Sequence, residues 1–219
     1  MSDFHFAVDR PFAKKHNELL RDTRRLQFSA YIFALILLAI GGGLAWYLRG
    51  GGMQWIVLGL FIILAIIFAV IGSVVPKKVG DPQRLYDTYP LAPAVVADVN
   101  PRDVVLLALV NTTVDPQEPP RWALCARTCS GIGLHERRTG EKVPAVAVSG
   151  SRKLGELSHW DQVTPMPIAW ATQDPDIVHE ARHAIPHEQW RILEKNIRKV
   201  SDVQATAHSL LPLSSGPKN

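Results

Sequence analysis

Across residues 28–75 the chain carries a single charged side chain, Arg49. Two apolar runs, 28–48 and 53–75, flank the turn Arg49-Gly50-Gly51-Gly52. At the helical rise, about 20 residues cross a hydrocarbon core of about 30 Å, and each run meets that length. A linker this short lets the second helix only run back beside the first. The runs are too long for the core helices of a soluble protein. The first is also too long for a cleaved signal peptide: the region before it is extended and no A-x-A site follows, so it is expected to be an uncleaved anchor. Neither span contains Asp, Glu, Lys, Arg or His, which argues against a proton relay or ion pathway within the hairpin.

Orientation follows from the cations. Lys14, Lys15, Arg21, Arg24 and Arg25 precede the first span, Lys77 and Lys78 follow the second, and the turn has Arg49 alone. The positive-inside rule predicts a multi-pass plasma-membrane protein with both termini cytoplasmic. Trp46, Tyr47 and Trp55 flank the turn, as an interfacial belt requires. Gly41, Gly42, Gly43, Gly59 and Gly72 permit close helix approach, within the hairpin or against a membrane protein partner or second copy. The net charge of +4 fits attraction to anionic membrane lipid. Without a long Lys/Arg run or a basic stretch interleaved with aromatics, nucleic acid is not an expected partner. Two cysteines, Cys125 and Cys129, do not make a disulfide-stapled secreted fold.

The expected fold class is a membrane α-helical hairpin plus a soluble α+β domain. That domain is an antiparallel sheet or small β-barrel with a C-terminal helix. The division is an N-terminal cytoplasmic strand and helix over 1–27, the hairpin over 28–75, the soluble domain over 79–211 and a disordered Pro/Ser-rich tail over 212–219. Phe4, Phe6 and Val8 alternate like a short strand that could pair with a sheet edge. Asp9 and Pro11 signal a helix start. Strands are predicted over 94–99, 103–110, 121–128, 142–149 and 162–172, separated by Asn100-Pro101, Asp115-Pro116, Thr139-Gly140 and the region around Gly150. Asp174-Pro175 opens a short helix to Ala184. Pro186 starts a longer one, whose Trp190, Leu193, Ile197, Val200 and Val203 form one apolar face.

His179-Glu180-Ala181-Arg182-His183 is a literal H-E-x-x-H, the pattern of a zinc metallopeptidase. Arg182 beside a cation, Pro186 just beyond the second histidine, and the lack of an obvious third ligand all weigh against a catalytic metal. No metal or other cofactor is therefore expected. Cys125 and Cys129 are spaced too widely for a C-x2-C pair and are expected to be buried free thiols. No phosphate-loop, dinucleotide or nucleophile-elbow motif occurs, and no catalytic residue is assigned. The one positive signal is cationic: Arg121, Arg127, Arg137, Arg138, Lys142, Arg152 and Lys153 lie on or beside strands and glycine-containing loops. Arginine forks match phosphate oxygens.

Three stretches carry a family likeness: Val75-Pro76-Lys77-Lys78-Val79-Gly80 with Leu85-Tyr86-Asp87-Thr88-Tyr89-Pro90-Leu91-Ala92-Pro93; Pro119-Pro120-Arg121-Trp122-Ala123-Leu124; and Trp160-Asp161-Gln162-Val163-Thr164-Pro165-Met166-Pro167-Ile168-Ala169-Trp170. With them the chain resembles an actinobacterial, corynebacterial-type family of membrane proteins carrying a domain of unknown function. The resemblance implies a two-helix anchor bearing a soluble domain and supplies no catalytic residues. The expected function is a membrane-anchored cytoplasmic binding module for an anionic, phosphate-bearing ligand: a lipid headgroup, a nucleotide or a coenzyme A thioester. The alternatives are a structural or interaction membrane protein without a small ligand, and a metallopeptidase using the H-E-x-x-H.

Overall fold

The computed structural model describes residues 4–79, 81–115, 117–152, 155 and 158–213. The chain divides into two compact units, residues 19–81 and residues 1–18 with 82–219.

The first unit is a hairpin of two long apolar helices, α2 (Glu18–Tyr47) and α3 (Met53–Val79). Both are long and apolar enough to cross a membrane, and their most apolar windows are only 17% and 11% buried. Helices of this composition in a soluble core would be covered, so their exposed Leu, Ile and Phe side chains call for lipid. The two helices meet where side chains are small. A Cβ on Gly41 would stand 2.5 Å from that of Phe61. Phe33 packs edge-on against Phe68, with ring centroids 4.7 Å apart, and the Tyr31 hydroxyl lies 2.9 Å from Ser73 Oγ. At the turn the Arg49 guanidinium covers the Trp46 ring at 4.7 Å.

The second unit is built on a six-stranded antiparallel sheet: β1 (Leu91–Val99), β2 (Val104–Asn111), β3 (Trp122–Cys129), β4 (Lys142–Ser149), β5 (Val163–Pro167) and β6 (Leu210–Pro212), in the order β5-β4-β1-β2-β3-β6. It curls into a half-barrel. Arg127 of β3 reaches across the concave side to the Trp170 ring, 5.0 Å from its centroid. The opposite face is covered by α5 (Pro175–Ala184), α6 (His187–Lys195) and α7 (Val200–Ala205). There Val95, Leu107, Leu109 and Leu124 of the strands pack on Ile185, Trp190, Leu193 and Val203. β2 is buried on both sides, which is why Val104 to Val110 is a continuous apolar run instead of an alternating one.

Several expectations need correction. Residues 4–8 form no strand. They pass α4 (Pro82–Thr88), where Gln83 substitutes for a sheet edge: its Oε1 accepts from Val8 N at 2.8 Å and its Nε2 donates to Phe6 O at 2.8 Å. Helix α4 itself was not expected. The strand predicted over 162–172 stops at Pro167 and becomes a 3-10 turn, Ile168–Trp170, because Pro165 and Pro167 donate nothing to a further ladder. The long C-terminal helix is broken at Asn196 (φ −104°, ψ 6°), whose side chain donates to Ile192 O, so Val203 reaches the core from the separate helix α7. Pro212 belongs to β6, paired with Ala123, instead of starting a tail; residues 214–219 of the expected tail lie outside the described residues.

The predicted capping residues hold. Asp9 Oδ1 accepts from Phe12 N at the start of α1 (Arg10–His16), and Asp174 Oδ1 accepts from Asp176 N at the start of α5. Asn17, which ends α1, and Glu18, the first residue of α2, are both buried. Asn17 Nδ2 donates to Tyr86 Oη at 3.1 Å, and Glu18 accepts from Ser130 N at 2.6 Å and from the Ser130 hydroxyl. Polar groups withdrawn from water this far are satisfied by partners, and these partners bind the start of the chain to the sheet domain.

Candidate functional site

The described residues of the sheet domain enclose a cleft of about 570 Å³, within the usual range for small-molecule sites. It opens on the helix-covered face, at the end where β1 begins and β2 ends. Its floor is Leu91, Leu109, Asn111, Trp122 and Ala147. One wall is the α5–α6 corner, Ile185 and Pro186, with Gln189 behind it. That corner exists because the backbone of Ile185, ahead of a proline, is extended (φ −83°, ψ 128°).

The opposite wall joins two loops. Residues 112–114 leave β2 and pair with residues 158–160: Trp160 N donates to Thr112 O at 2.7 Å, Val114 N to Ser158 O at 3.1 Å, and Thr113 bridges His159. Asn111 organises the crossing, its Oδ1 accepting from Thr113 N and Arg121 N at 3.0 and 3.1 Å. This pairing points Trp160 into the cleft beside Trp122.

Two of the predicted basic residues touch the 158–160 segment from outside the cleft lining. The exposed Arg152 guanidinium lies 4.6 Å from the centroid of Trp160, a cation–π contact. Arg121 Nη1 donates to Ser158 Oγ at 3.2 Å and lies 3.5 Å from His159 Nδ1. Ser158 Oγ is also 3.1 Å from that imidazole nitrogen, and His159 Nε2 is 3.9 Å from Asp161 Oδ1. Lys153, adjacent to Arg152, lies outside the described residues. The result is an apolar, indole-lined cleft with two guanidinium groups held against its 158–160 wall segment, an arrangement that suits a ligand apolar at one end and anionic at the other.

The remaining predicted residues do not join them. Arg137 Nη2 donates to Asn100 O and Asp103 O at 2.8 and 3.0 Å, tying the β1–β2 turn at the opposite end of the sheet. Arg138 sits 3.7 Å from both Glu136 and Glu141. Lys142 pairs with Glu194 at 2.7 Å over the Trp190 ring. Arg127 lies within the curl of the sheet, against Trp170 and near Cys125 and Cys129. Its Nη1 is buried without a hydrogen-bond partner among the described residues. Both cysteines are free and buried, and burial pushes each thiol up to about 12, which keeps them from acting as nucleophiles at neutral pH.

Sequence reasoning missed Trp122, Trp160 and the Ser158–His159 pair as site residues. The available signal was local: Arg121 precedes Trp122, and Ser158-His159-Trp160-Asp161 is a polar run around one indole. What placed them together is the pairing of 112–114 with 158–160, which no local pattern announces.

The pattern of the family described as "Protein of unknown function (DUF3239)" matches residues 77–201. The chain belongs to the DUF3239 family. This DUF3239 protein is also similar to the crystal structure of a candidate membrane protein from Corynebacterium diphtheriae. The two share 50% sequence identity with a TM-score of 0.54, over 57% of this chain and 100% of the other. No curated protein matches the chain.

Proposed function

We propose that this DUF3239 protein is a membrane-anchored cytoplasmic module that binds an amphipathic, phosphate-bearing anion. The ligand's apolar part enters the cleft between Trp122, Leu109 and Ile185, and its phosphate meets Arg121 and Arg152 beside the 158–160 segment. The observation that carries this reading is the stacking of Arg152 on Trp160, which joins an exposed guanidinium to a residue of the cleft wall. Guanidinium groups bind phosphate oxygens bidentately, and a cleft of this size accommodates part of an acyl chain or an aromatic base. A lipid headgroup with its chain and an acyl coenzyme A thioester share this chemistry.

The division of the chain supports a two-pass anchor. Residues 1–18 and 82–219 form one compact unit, which favours the segments before and after the hairpin lying on one side of the bilayer. The excess of Lys and Arg outside the turn favours the cytoplasmic side.

The test uses the full-length protein in nanodiscs of neutral phosphatidylcholine, following quenching of tryptophan fluorescence. One arm titrates palmitoyl coenzyme A; the other incorporates increasing phosphatidic acid. Saturable quenching in one arm names the source of the phosphate. Arg152→Gln is expected to weaken it about tenfold, because a charge-assisted hydrogen bond contributes roughly 1.5–3 kcal/mol. No saturable response in either arm at low salt overturns the reading.

A further inference from the structure

His179 and His183 stand one turn apart on α5, both exposed. Their Nε2 atoms are 3.1 Å apart and their ring centroids 4.3 Å apart. Two imidazole nitrogens at that separation subtend an angle of about 95–102° at a metal bound at the usual 2.0–2.1 Å. That lies between the 90° of square-planar and octahedral sites and the tetrahedral angle, so a modest rotation of the exposed rings would let one ion take both nitrogens.

The helix carrying them is well anchored. Asp174 caps its start, Val178 and Ala181 are buried against the sheet domain, and Trp190 Nε1 donates to Arg182 O at 3.3 Å near its end. Burial of Val178 and Ala181 fixes which face of α5 meets solvent, and therefore where the two rings project. The surroundings differ from those of a peptidase-like centre. No third His, Cys, Asp or Glu joins the pair among the described residues. α5 ends at Ala184, so His187 does not continue the row. Glu180 follows His179 by one position, about 100° around the helix, and is exposed. Arg182 is exposed too, where water and salt screen its charge.

We propose that His179 and His183 form a bidentate surface site for a borderline divalent transition metal, taking Cu²⁺ ahead of Ni²⁺ and Zn²⁺, with its other coordination positions left to water. Imidazole suits this class of ion, and the order follows intrinsic affinity for nitrogen donors. The site is independent of the cleft.

The experiment titrates CuSO₄ into tag-free, chelator-stripped full-length protein in detergent, read by calorimetry and by electron paramagnetic resonance. One tight equivalent with two equatorial nitrogens is expected. His179→Ala and His183→Ala should each weaken it roughly a hundredfold, since the second ring binds as an intramolecular ligand. His187→Ala and Glu180→Gln should leave it unchanged. All four side chains are exposed, and unchanged circular dichroism would show that the variants fold. Parent-like binding by either His179→Ala or His183→Ala, or an equal loss in His187→Ala, would overturn the assignment.

Discussion

Gly133→Ala tests how the β3–β4 loop closes the concave side of the sheet. Gly133 has φ +63°, and a Cβ there would stand 2.6 Å from Ala169 O, 3.0 Å from Ala169 Cβ and 3.2 Å from Ala169 C. Two penalties therefore combine. An L-residue in the left-handed region costs about 1–2 kcal/mol. Forcing the loop off the backbone of the 3-10 turn costs about 1–3 kcal/mol more, as overpacking does. The same displacement strains the hydrogen bond from Trp170 Nε1 to Gly131 O, 2.8 Å long. Gly140→Ala is the matched control: its φ is +87° but nothing lies within 4 Å of its added Cβ, so only the first penalty applies. The entropy that alanine removes from the unfolded chain is common to both and cancels. Near-ultraviolet circular dichroism of the full-length protein in detergent, followed through thermal unfolding, should give a Tm loss of about 2–4 °C per kcal/mol for a domain of this size. Gly133→Ala should thus fall well below Gly140→Ala. Adding Ala169→Gly should not rescue it, because the closest atom is a carbonyl oxygen. Equal Tm values for the two alanine variants would refute the close-approach argument.

Two further predictions concern buried polar groups. Burial holds His135 below the ordinary imidazole range despite Glu141 at 3.3 Å, and the positive charge of Arg182 acts in the same direction. Its neutral form is favoured on folding, so the stability tied to it is present above the unfolded value near pH 6.5 and is lost as pH falls through the lower folded value; urea midpoints at successively lower pH should fall less steeply in His135→Gln than in the parent. Tyr86 is buried, its hydroxyl donating to Pro167 O at 3.0 Å and accepting from Asn17. Burial raises the phenol far above its usual range, and Tyr86→Phe should cost about 1–3 kcal/mol by removing two buried hydrogen bonds, measured by urea denaturation; a change within error would mean water replaces the hydroxyl.

Elements governed by neighbours along the chain were legible without the structure. The apolar runs around Arg49 define two helices whatever surrounds them, since hydrocarbon length and backbone hydrogen bonding leave no other form. Asp9 and Asp174 mark helix starts because a cap needs only the next few residues. The first four strands were readable from apolar runs bounded by Pro, Gly and Asn. Beyond that, local pattern was insufficient. Phe4 to Val8 alternates like a strand, yet Gln83, far along the chain, satisfies its backbone. The row from Trp190 to Val203 has helical spacing, yet Asn196 divides it between two helices on the same core.

The candidate site shows the same division. The sequence by itself determined that cations such as Arg121 and Arg152 were present and that two long helices had to meet lipid, because charge and hydrophobicity belong to the residues. Tertiary structure alone decided that Arg121 and Arg152 meet the 158–160 segment that walls an indole-lined cleft, while Arg137, Arg138 and Lys142 hold turns, strands and a helix elsewhere. The cause is the β-bridge of Thr113 with His159 and the extended corner at Ile185, contacts between residues far apart in sequence whose geometry only the folded sheet supplies.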